Sequence, residues 1–206
     1  MAMKITFPVL KEGSHRYCMV CHAADTITNI EIDGQFKRKC SACGAVSDRY
    51  IHIGNNKDDA IWWIDENDEL RHESAGVFVR NPEGKYLFFE RTSFPLGFTI
   101  PAGHVDNGED GAQAAARELN EEVGITSSRL TYIASAEIAG DACGAGADTH
   151  KWYVFREDLA VSLDVKVLEQ DEGRHPVWMT LEEVRQKSLP PAIKYLLDHF
   201  ADQIAS

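Results

Sequence analysis

Three glutamates fall within five residues of a segment that is predicted to be helical. Glu118, Glu121 and Glu122 are spaced i, i+3 and i+4, which places all three carboxylates on one side of a helix. Like charges at these spacings destabilise an isolated helix, so an opposite charge should offset them. Hard divalent cations such as Mg2+ prefer oxygen ligands, and the adjacent Arg117 can orient one carboxylate. The alternative is a solvated acidic helix face.

The helix that carries these glutamates is predicted over Asp110–Val123. The segment is rich in alanine, has Glu109 and Asp110 near its positive end, and stops before Gly124, a typical residue just beyond a helix C-terminus. A stripe of apolar residues on the neighbouring flank can dock on a sheet: Ala112, Ala115, Leu119 and Val123.

The glutamates belong to a longer pattern over residues 103–125, GHVDNGEDGAQAAARELNEEVGI. This segment fits G-x5-E-x7-R-E-U-x-E-E-x-G-U, in which U is a bulky apolar residue, and every defined position matches. Such a match arises by chance roughly less than once in a million starting points. The chain therefore resembles the Nudix hydrolase family, and this segment resembles an intact Nudix box.

The resemblance covers residues 73–200 and implies both a fold and a reaction. The fold is α/β (α+β), with a mixed β-sheet sandwiched between helices. The reaction is Mg2+- or Mn2+-dependent hydrolysis of a nucleoside diphosphate linked to another group. Such chemistry needs metal ions because they neutralise the phosphates, position them and acidify water, while carboxylates hold the metals and can accept a proton.

The resemblance also implies roles for individual residues of the box. Glu118 and Glu122 match the main metal ligands, and Glu121 matches a third ligand or, in some members, the base. Arg117 matches the residue that holds a box glutamate in place. Ala102 matches a position whose backbone carbonyl ligates metal.

A further carboxylate often comes from a loop far down the chain in this family. Glu172 is the candidate here, because it lies six residues before Trp178 in a loop that is similar to those of the family. Glu169 and Asp171 are its rivals, and a plain surface acid is the alternative for each of them.

Three residues are predicted to contact the substrate. Glu109 matches the box glutamate that helps to order the loop, and His104 follows the box glycine and could touch phosphate. Trp152 could stack on a base. Core packing is the alternative for Trp152, and local hydrogen bonding is the alternative for His104.

Turn signals and apolar patterns predict the elements around the helix. Strands are expected over 75–80, 85–91, 97–105, 130–139, 150–156 and 175–179, and helices over 180–187 and 191–203. Asn81-Pro82-Glu83-Gly84 is a strong turn signal between the first two strands, and Pro190-Pro191 can open the last helix.

Four cysteines near the N-terminus have the spacing of a metal site. Cys18-x2-Cys21 and Cys40-x2-Cys43 are separated by eighteen residues, which predicts a zinc ribbon whose two knuckles are joined by a hairpin turning at Asp33-Gly34. Four thiolates would close the shell of a structural Zn2+ ion, which would supply folding energy that so small a segment lacks. His22 is an alternative ligand. Cys143 is interpreted as a bystander or a pocket-lining residue.

Composition divides the chain into two parts. The 206 residues carry a formal net charge of −12, but residues 1–60 hold eight basic and seven acidic residues, whereas 61–206 hold 13 and 26. We therefore expect a zinc ribbon and linker over 1–60 and a Nudix domain over 61–206. An acidic chain is a poor candidate for a general DNA coat or an anionic-membrane binder. Without a long apolar segment or a secretory signal, the protein is expected to be cytoplasmic.

A ribbon before a Nudix domain is similar to the arrangement in NADH pyrophosphatases, but residues 126–155 lack the SQPWPFPxS-like motif of those enzymes. The substrate subclass therefore stays open. The alternative function is a nucleotide-sensing or nucleic-acid-binding regulator, with ribbon contacts through Lys37, Arg38, Lys39 and Arg49. The ribbon's low net charge argues against strong nucleic-acid binding. A third alternative gives the ribbon an architectural role, either in a homodimer or as a cap over the substrate pocket.

Overall fold

The computed structural model describes residues 2–32, 35–127, 129–169 and 172–206. Before Ile61 the chain forms what we call the N-terminal module, with five short strands: β1 (Ser14–Tyr17), β2 (Ile27–Ile32), β3 (Gln35–Cys40), β4 (Val46–Ser47) and β5 (Ile51–Gly54). Strand β1 pairs with β5, and β2, β3 and β4 form a second antiparallel sheet. The predicted hairpin is confirmed by the β2–β3 register, in which Ile32 faces Gln35. Its predicted turn, Asp33-Gly34, lies outside the described residues.

Eight strands form the main sheet: β6 (Trp62–Ile64), β7 (Leu70–Arg80), β8 (Tyr86–Arg91), β9 (Phe98–Thr99), β10 (Ala102–His104), β11 (Thr131–Ala139), β12 (Thr149–Asp158) and β13 (Gly173–Met179). The main path runs β11-β12-β7-β8-β13, while β6 and β10 pair with β7, and β9 pairs with β8. Strand β12 is parallel to β7 and the other pairs are antiparallel, so the sheet is mixed.

In the described part of the chain, three helices accompany the sheet: α1 (Gly111–Val123), α2 (Leu181–Val184) and α3 (Pro191–Ala205). Asp110 caps α1 by accepting the backbone N–H groups of Ala112 and Gln113, and Gly124 ends it in a left-handed conformation with φ of 70°. This confirms the predicted helix. The predicted helix over 180–187 is shorter, because its second half continues in i→i−3 hydrogen bonds, such as Lys187 N–H to Val184 O, that tighten the chain into turns.

The side chains of β7 alternate between two cores. Val77 and Val79 pack with Leu119 of α1 on one face of the sheet. Phe78 points to the opposite face and packs with Leu196 of α3. Because successive strand residues face opposite sides, one strand supports a helix on each face. The predicted α+β sandwich is confirmed.

A third core joins the N-terminal module to the main sheet. Ile51 and Ile53 of β5 are fully buried with Leu70 of β7 and Ala147. Asp59 is buried at the end of this module, and its carboxylate accepts hydrogen bonds from the Asn56 N–H and the Ser14 hydroxyl. The neighbouring residues 55–58 are exposed to solvent. None of the helices in the described ranges is long and apolar enough to cross a membrane.

Candidate active site

A cleft of about 400 Å³ lies between the main sheet and the N-terminal module. Its lining includes Ala102 and Gly103 of β10, Glu118 of α1, and Glu172 just before β13. These elements meet because α1 packs across β10 and β7. The Nudix-like segment thus borders a concave space that is large enough for a small ligand.

Glu122 is the most buried carboxylate of this region, at 1% exposure. Its Oε2 accepts the backbone N–H of Ala102 at 2.8 Å, whereas its Oε1 has no hydrogen-bond partner among the residues that the structure describes. Burial, and then the negative charge of Glu118, raise the pKa of Glu122 well above its usual value. A bound cation would stabilise a buried carboxylate that has one unpartnered oxygen and lies beside another carboxylate.

Glu118 lies next to the backbone of β10. A Cβ atom added to Gly103 would come within 2.1 Å of Glu118 Oε1, so only glycine leaves room for this carboxylate. Burial raises the pKa of Glu118 to about 7, although Arg117 opposes the shift. Glu172 also raises this pKa through its charge. Without a metal ion, burial therefore favours the neutral forms of Glu118 and Glu122, and a bound cation would favour their ionised forms.

Arg117 connects the box residues to one another. Its guanidinium group makes a two-bonded ion pair with Glu109, with both N–O distances at 3.0 Å. It also contacts Glu118 Oε1 at 2.7 Å and Glu121 Oε2 at 3.1 Å, and it donates to the His104 carbonyl at 3.0 Å. Arg117 thus contacts three carboxylates of this segment at once.

The three predicted carboxylates on α1 occupy different environments. Glu122 is buried and Glu118 is largely buried, whereas the Glu121 side chain is 48% exposed and is held only at the rim by Arg117. Glu109 is committed to Arg117 and does not belong to the described residues that line the cleft. Glu118 and Glu122 are therefore the inner glutamates of this segment, and Glu109 and Glu121 are the outer ones.

Glu172 reaches the same site from a distant part of the chain. Its carbonyl accepts the N–H of Thr92 at 3.0 Å, which ties the loop to the end of β8. It lines the cleft, and its charge raises the pKa values of both Glu118 and Glu122. We call Glu118, Glu122 and Glu172 the carboxylate site. Its rival Asp171 lies outside the described residues.

His104 and Trp152 both line the cleft. Trp152 is also packed in the core that contains α3, and its Nε1–H donates to Asp141 Oδ2 at 2.7 Å. Trp152 is therefore both a core side chain and part of the wall of the cleft.

The His104 ring belongs to a cluster that sequence reasoning missed. His72, His104, Cys143 and His150 each offer a ligand atom, and these atoms lie within 4.8 Å of one another. We call these residues the sulfur–nitrogen cluster. No sequence signal marks it as a unit, because its members are far apart in the chain. The CxxxxxxH spacing of Cys143 and His150 is the one local hint.

The N-terminal module contributes the opposite wall of the cleft. Its lining residues carry aromatic, basic and acidic groups: Phe36, Arg38, Asp48, Tyr50 and His52. Arg49 anchors this wall by donating to the carbonyls of Cys143, Gly146 and Ala147 at 2.8–2.9 Å. The module thus approaches the carboxylate site from across the cleft.

The four predicted zinc-ribbon cysteines also meet. Their sulfur atoms lie within 4.8 Å of one another, with 3.7 Å between Cys18 and Cys43 and 3.7 Å between Cys21 and Cys40. Both knuckles have the same turn, in which the residue four positions after the first cysteine donates back to its carbonyl. The alternative ligand His22 lies outside this set, and its ring stacks on Phe7 at 4.1 Å.

Comparison with known proteins places this geometry in a family. The NUDIX domain model matches residues 70–200. The chain is similar to an RNA pyrophosphohydrolase of Gluconobacter oxydans, with 29% identity over 51% of this chain and 68% of the relative. It is also similar to the ADP-ribose pyrophosphatase of Bacillus subtilis, with 31% identity over 55% of this chain and 62% of the relative.

Solved structures agree with this assignment. A MutT NUDIX hydrolase from Burkholderia pseudomallei superposes with a TM-score of 0.53 and 25% identity, covering 62% of this chain and 96% of that chain. Because the family model spans more than half of its residues, the chain belongs to the NUDIX domain family. It is a Nudix hydrolase, and the prediction of a hydrolase acting on phosphoric anhydride bonds is confirmed at the level of class.

Proposed function

We propose that this protein is a Mg2+- or Mn2+-dependent pyrophosphohydrolase that cleaves the pyrophosphate linkage of a nucleoside diphosphate joined to another moiety. The observation that carries the proposal is the carboxylate site, of which Glu118 and Glu172 line one wall of a cleft of about 400 Å³ and Glu122 lies buried beside Glu118. The names of both curated relatives, an RNA pyrophosphohydrolase and an ADP-ribose pyrophosphatase, support the same bond type.

The donor set of the carboxylate site fits a hard divalent cation. It offers oxygen atoms from Glu118, Glu122 and Glu172, and Glu122 Oε1 has no other partner in the described chain. Oxygen ligands with excess negative charge favour Mg2+ or Mn2+ over softer metals. When bound there, the ion would neutralise the phosphates and lower the pKa of a water molecule. The backbone carbonyl of Ala102 and the carboxylate of Glu121 remain proposed additional ligands.

The surrounding residues position these groups. Arg117 holds Glu118 in place and connects it to Glu109, so that the carboxylate does not have to be ordered when substrate arrives. Ala102 fixes Glu122 through its N–H group. A carboxylate of this site accepts the proton of the attacking water, whose oxygen adds to phosphorus as the bridging oxygen leaves.

We infer that the N-terminal module acts as a cap over the substrate. Arg38 lines the cleft opposite the carboxylate site, with its guanidinium 5.5 Å from the Tyr50 ring centre. A basic and an aromatic side chain suit a ligand that combines phosphate with a planar base. Of the architectural alternatives for the ribbon, these contacts favour the cap.

We also propose that the four cysteines of the N-terminal module bind one structural Zn2+ ion. Tetrahedral zinc with Zn–S bonds of about 2.3 Å separates its sulfur ligands by about 3.8 Å. The two sulfur distances of 3.7 Å agree with this spacing. Four protein ligands leave no position for substrate, so this ion would stabilise the fold.

The substrate is tested by assaying the full chain with Mg2+ against a panel of compounds. The panel contains NADH, ADP-ribose, nucleotide sugars, dinucleoside polyphosphates, nucleoside triphosphates and an RNA with a 5′ pyrophosphate. Release of a phosphorylated product that depends on Mg2+ and disappears in Glu122→Gln would support the enzyme and select its substrate class. Saturable nucleotide binding without turnover across the panel would contradict it and favour the regulatory alternative.

A further inference from the structure

The sulfur–nitrogen cluster is assembled from four separate elements. His72 on β7 is in register with His150 on the parallel strand β12. His104 ends β10, which pairs with β7 on its other side, and Cys143 lies in the connection between β11 and β12. Four potential ligands therefore converge at one place on the main sheet, beside the cleft.

The distances within the cluster match the edges of a tetrahedral coordination shell. His72 Nδ1 lies 3.3 Å from His104 Nε2 and 3.7 Å from Cys143 Sγ. Tetrahedral zinc with Zn–N bonds of about 2.0–2.1 Å and a Zn–S bond of about 2.3 Å sets N–N edges of about 3.3 Å and N–S edges of about 3.6 Å. The side chains therefore already have the spacing of ligands around a single ion.

The hydrogen bonds within the cluster leave some of its ring nitrogens without partners among the described residues. His72 and His150 are each 1% exposed, and their Nε2 atoms lack a hydrogen-bond partner among the described residues. His150 Nδ1 lies 3.2 Å from Asp141 Oδ2, although not in hydrogen-bond alignment. Buried polar atoms in native proteins normally have partners, so the unpartnered Nε2 of His150 indicates that a group is missing. His72 faces the cluster through Nδ1, and its Nε2 lies on the other side of the ring.

Asp141 adds an outer interaction that is typical of metal-bound histidine. Its Oδ2 faces His150 Nδ1 and is fixed by the Trp152 Nε1–H at 2.7 Å. A carboxylate at one ring nitrogen orients the histidine and leaves the other nitrogen for the ion. In this arrangement the unpartnered Nε2 of His150 is the ligand atom.

We propose that His72, His104, Cys143 and His150 bind a transition-metal ion of the zinc class, separate from both the carboxylate site and the four-cysteine cluster. Three imidazoles and one thiolate select zinc-like metals over Mg2+, which prefers oxygen. Because all four ligands come from the protein, the site is closed and its ion is structural.

An ion bound to the cluster would also hold neighbouring parts of the cleft in place. His104 follows Gly103, whose backbone lies against Glu118. The His104 carbonyl accepts a hydrogen bond from the Arg117 guanidinium. The Cys143 carbonyl accepts Arg49 of the N-terminal module. The ion would therefore fix the strand behind the carboxylate site and the loop on which the module rests. These four residues are positioning residues rather than catalytic ones.

The test is the metal content of the purified full chain, measured by mass spectrometry after growth with added ZnCl2. We expect two zinc ions per chain in the wild type and one in Cys143→Ser. Cys21→Ser is the matched variant in the four-cysteine cluster and should also retain one. His199→Gln, an exposed histidine on α3, should retain both. A zinc content that Cys143→Ser leaves unchanged would overturn the proposal.

A second measurement needs no substitution and therefore does not depend on a variant folding. X-ray absorption at the zinc edge of the wild type should show five sulfur and three nitrogen ligands shared between two ions, as the two clusters together provide. A spectrum of sulfur ligands alone, with one zinc per chain, would contradict the second site. These readouts do not involve turnover, so they are independent of the proposed pyrophosphohydrolase activity.

Discussion

The carboxylate site and the sulfur–nitrogen cluster border the same cleft but differ in their donor atoms, in the elements that supply them and in their exposure. Glu118, Glu122 and Glu172 offer only oxygen, and two of the three come from one helix. Glu118 and Glu172 line the cleft, whereas Glu122 is buried behind them. The sulfur–nitrogen cluster offers nitrogen and sulfur, comes from four elements, and has two members at 1% exposure. His104 connects the two regions, because its ring belongs to the cluster and its carbonyl holds Arg117.

This difference in donor atoms is the reason why we propose different metals for the two regions. An open oxygen site binds a hydrated cation weakly enough for substrate phosphates to join its shell. A closed site of nitrogen and sulfur holds a softer metal and leaves no free position. Each of the following predictions tests whether the two regions are separate in this way.

The largest expected effect is that of removing the divalent cation. A short treatment with EDTA followed by desalting should abolish turnover, and added MgCl2 should restore it, while bound zinc remains in the protein. The reason is that oxygen-bound Mg2+ exchanges readily, whereas a closed zinc shell does not. Parallel activity and zinc measurements check this. Activity that only zinc restores would mean that the two regions are not independent.

Glu122→Gln should have the next largest effect. Mutation of a residue that hydrogen-bonds a metal ligand typically lowers metal affinity or activity about 10–100-fold. Loss of a ligand itself should therefore lower kcat by more than ~100-fold. Glutamine retains the size of the side chain and can still accept the Ala102 N–H, so the fold should be kept. Glu66→Gln, an exposed glutamate in the turn before β7, is the matched control. Near-normal turnover would remove Glu122 from the proposed ligand set.

Glu172→Gln should have a smaller effect than Glu122→Gln. Glu172 is less buried and is contributed by a loop, so its loss should reduce kcat by about 10-fold. Zinc content should not change, because Glu172 is outside the sulfur–nitrogen cluster. Steady-state kinetics and metal analysis on the same preparation test both statements. Unchanged kinetics would transfer the role to Glu169 or Asp171.

The smallest expected effect is on thermal stability as a function of pH. Burial raises the pKa of Glu118 to about 7, from 4.5. The folded, Mg2+-free protein therefore favours the protonated carboxyl, and its free energy of unfolding falls as pH rises through this range. Because Mg2+ binds the ionised form, the increase in Tm caused by MgCl2 should be larger at about pH 8 than at about pH 5.

Glu118→Gln is the control for this pH dependence. It removes the titrating carboxyl, so the Mg2+-free protein should lose less stability between the two pH values than the wild type does. Thermal denaturation with and without MgCl2 measures the effect. An equal MgCl2-induced shift in Tm at both pH values would contradict the assignment of Glu118 to the carboxylate site.

The sequence by itself determined the parts of the molecule that are local. Helix α1 ends where Asp110 and Gly124 predict, because capping depends on a few adjacent residues. The i, i+3 and i+4 spacing likewise puts Glu118 and Glu122 on one face before any tertiary contact forms. The cysteine pairs converge for a similar reason, since each CxxC lies within one tight turn and a hairpin connects the two turns.

Only the tertiary structure decided which distant groups share the cleft. Glu172 approaches α1 through the pairing of β13 with β8, and Arg38 reaches the cleft because the N-terminal module packs on the main sheet. His72 and His150 meet through a parallel strand pair, a contact between residues 78 positions apart in the chain that no local pattern encodes. Strand pairing depends on the packing of whole surfaces. This is why one cysteine and three histidines that are far apart in the sequence come together beside the cleft.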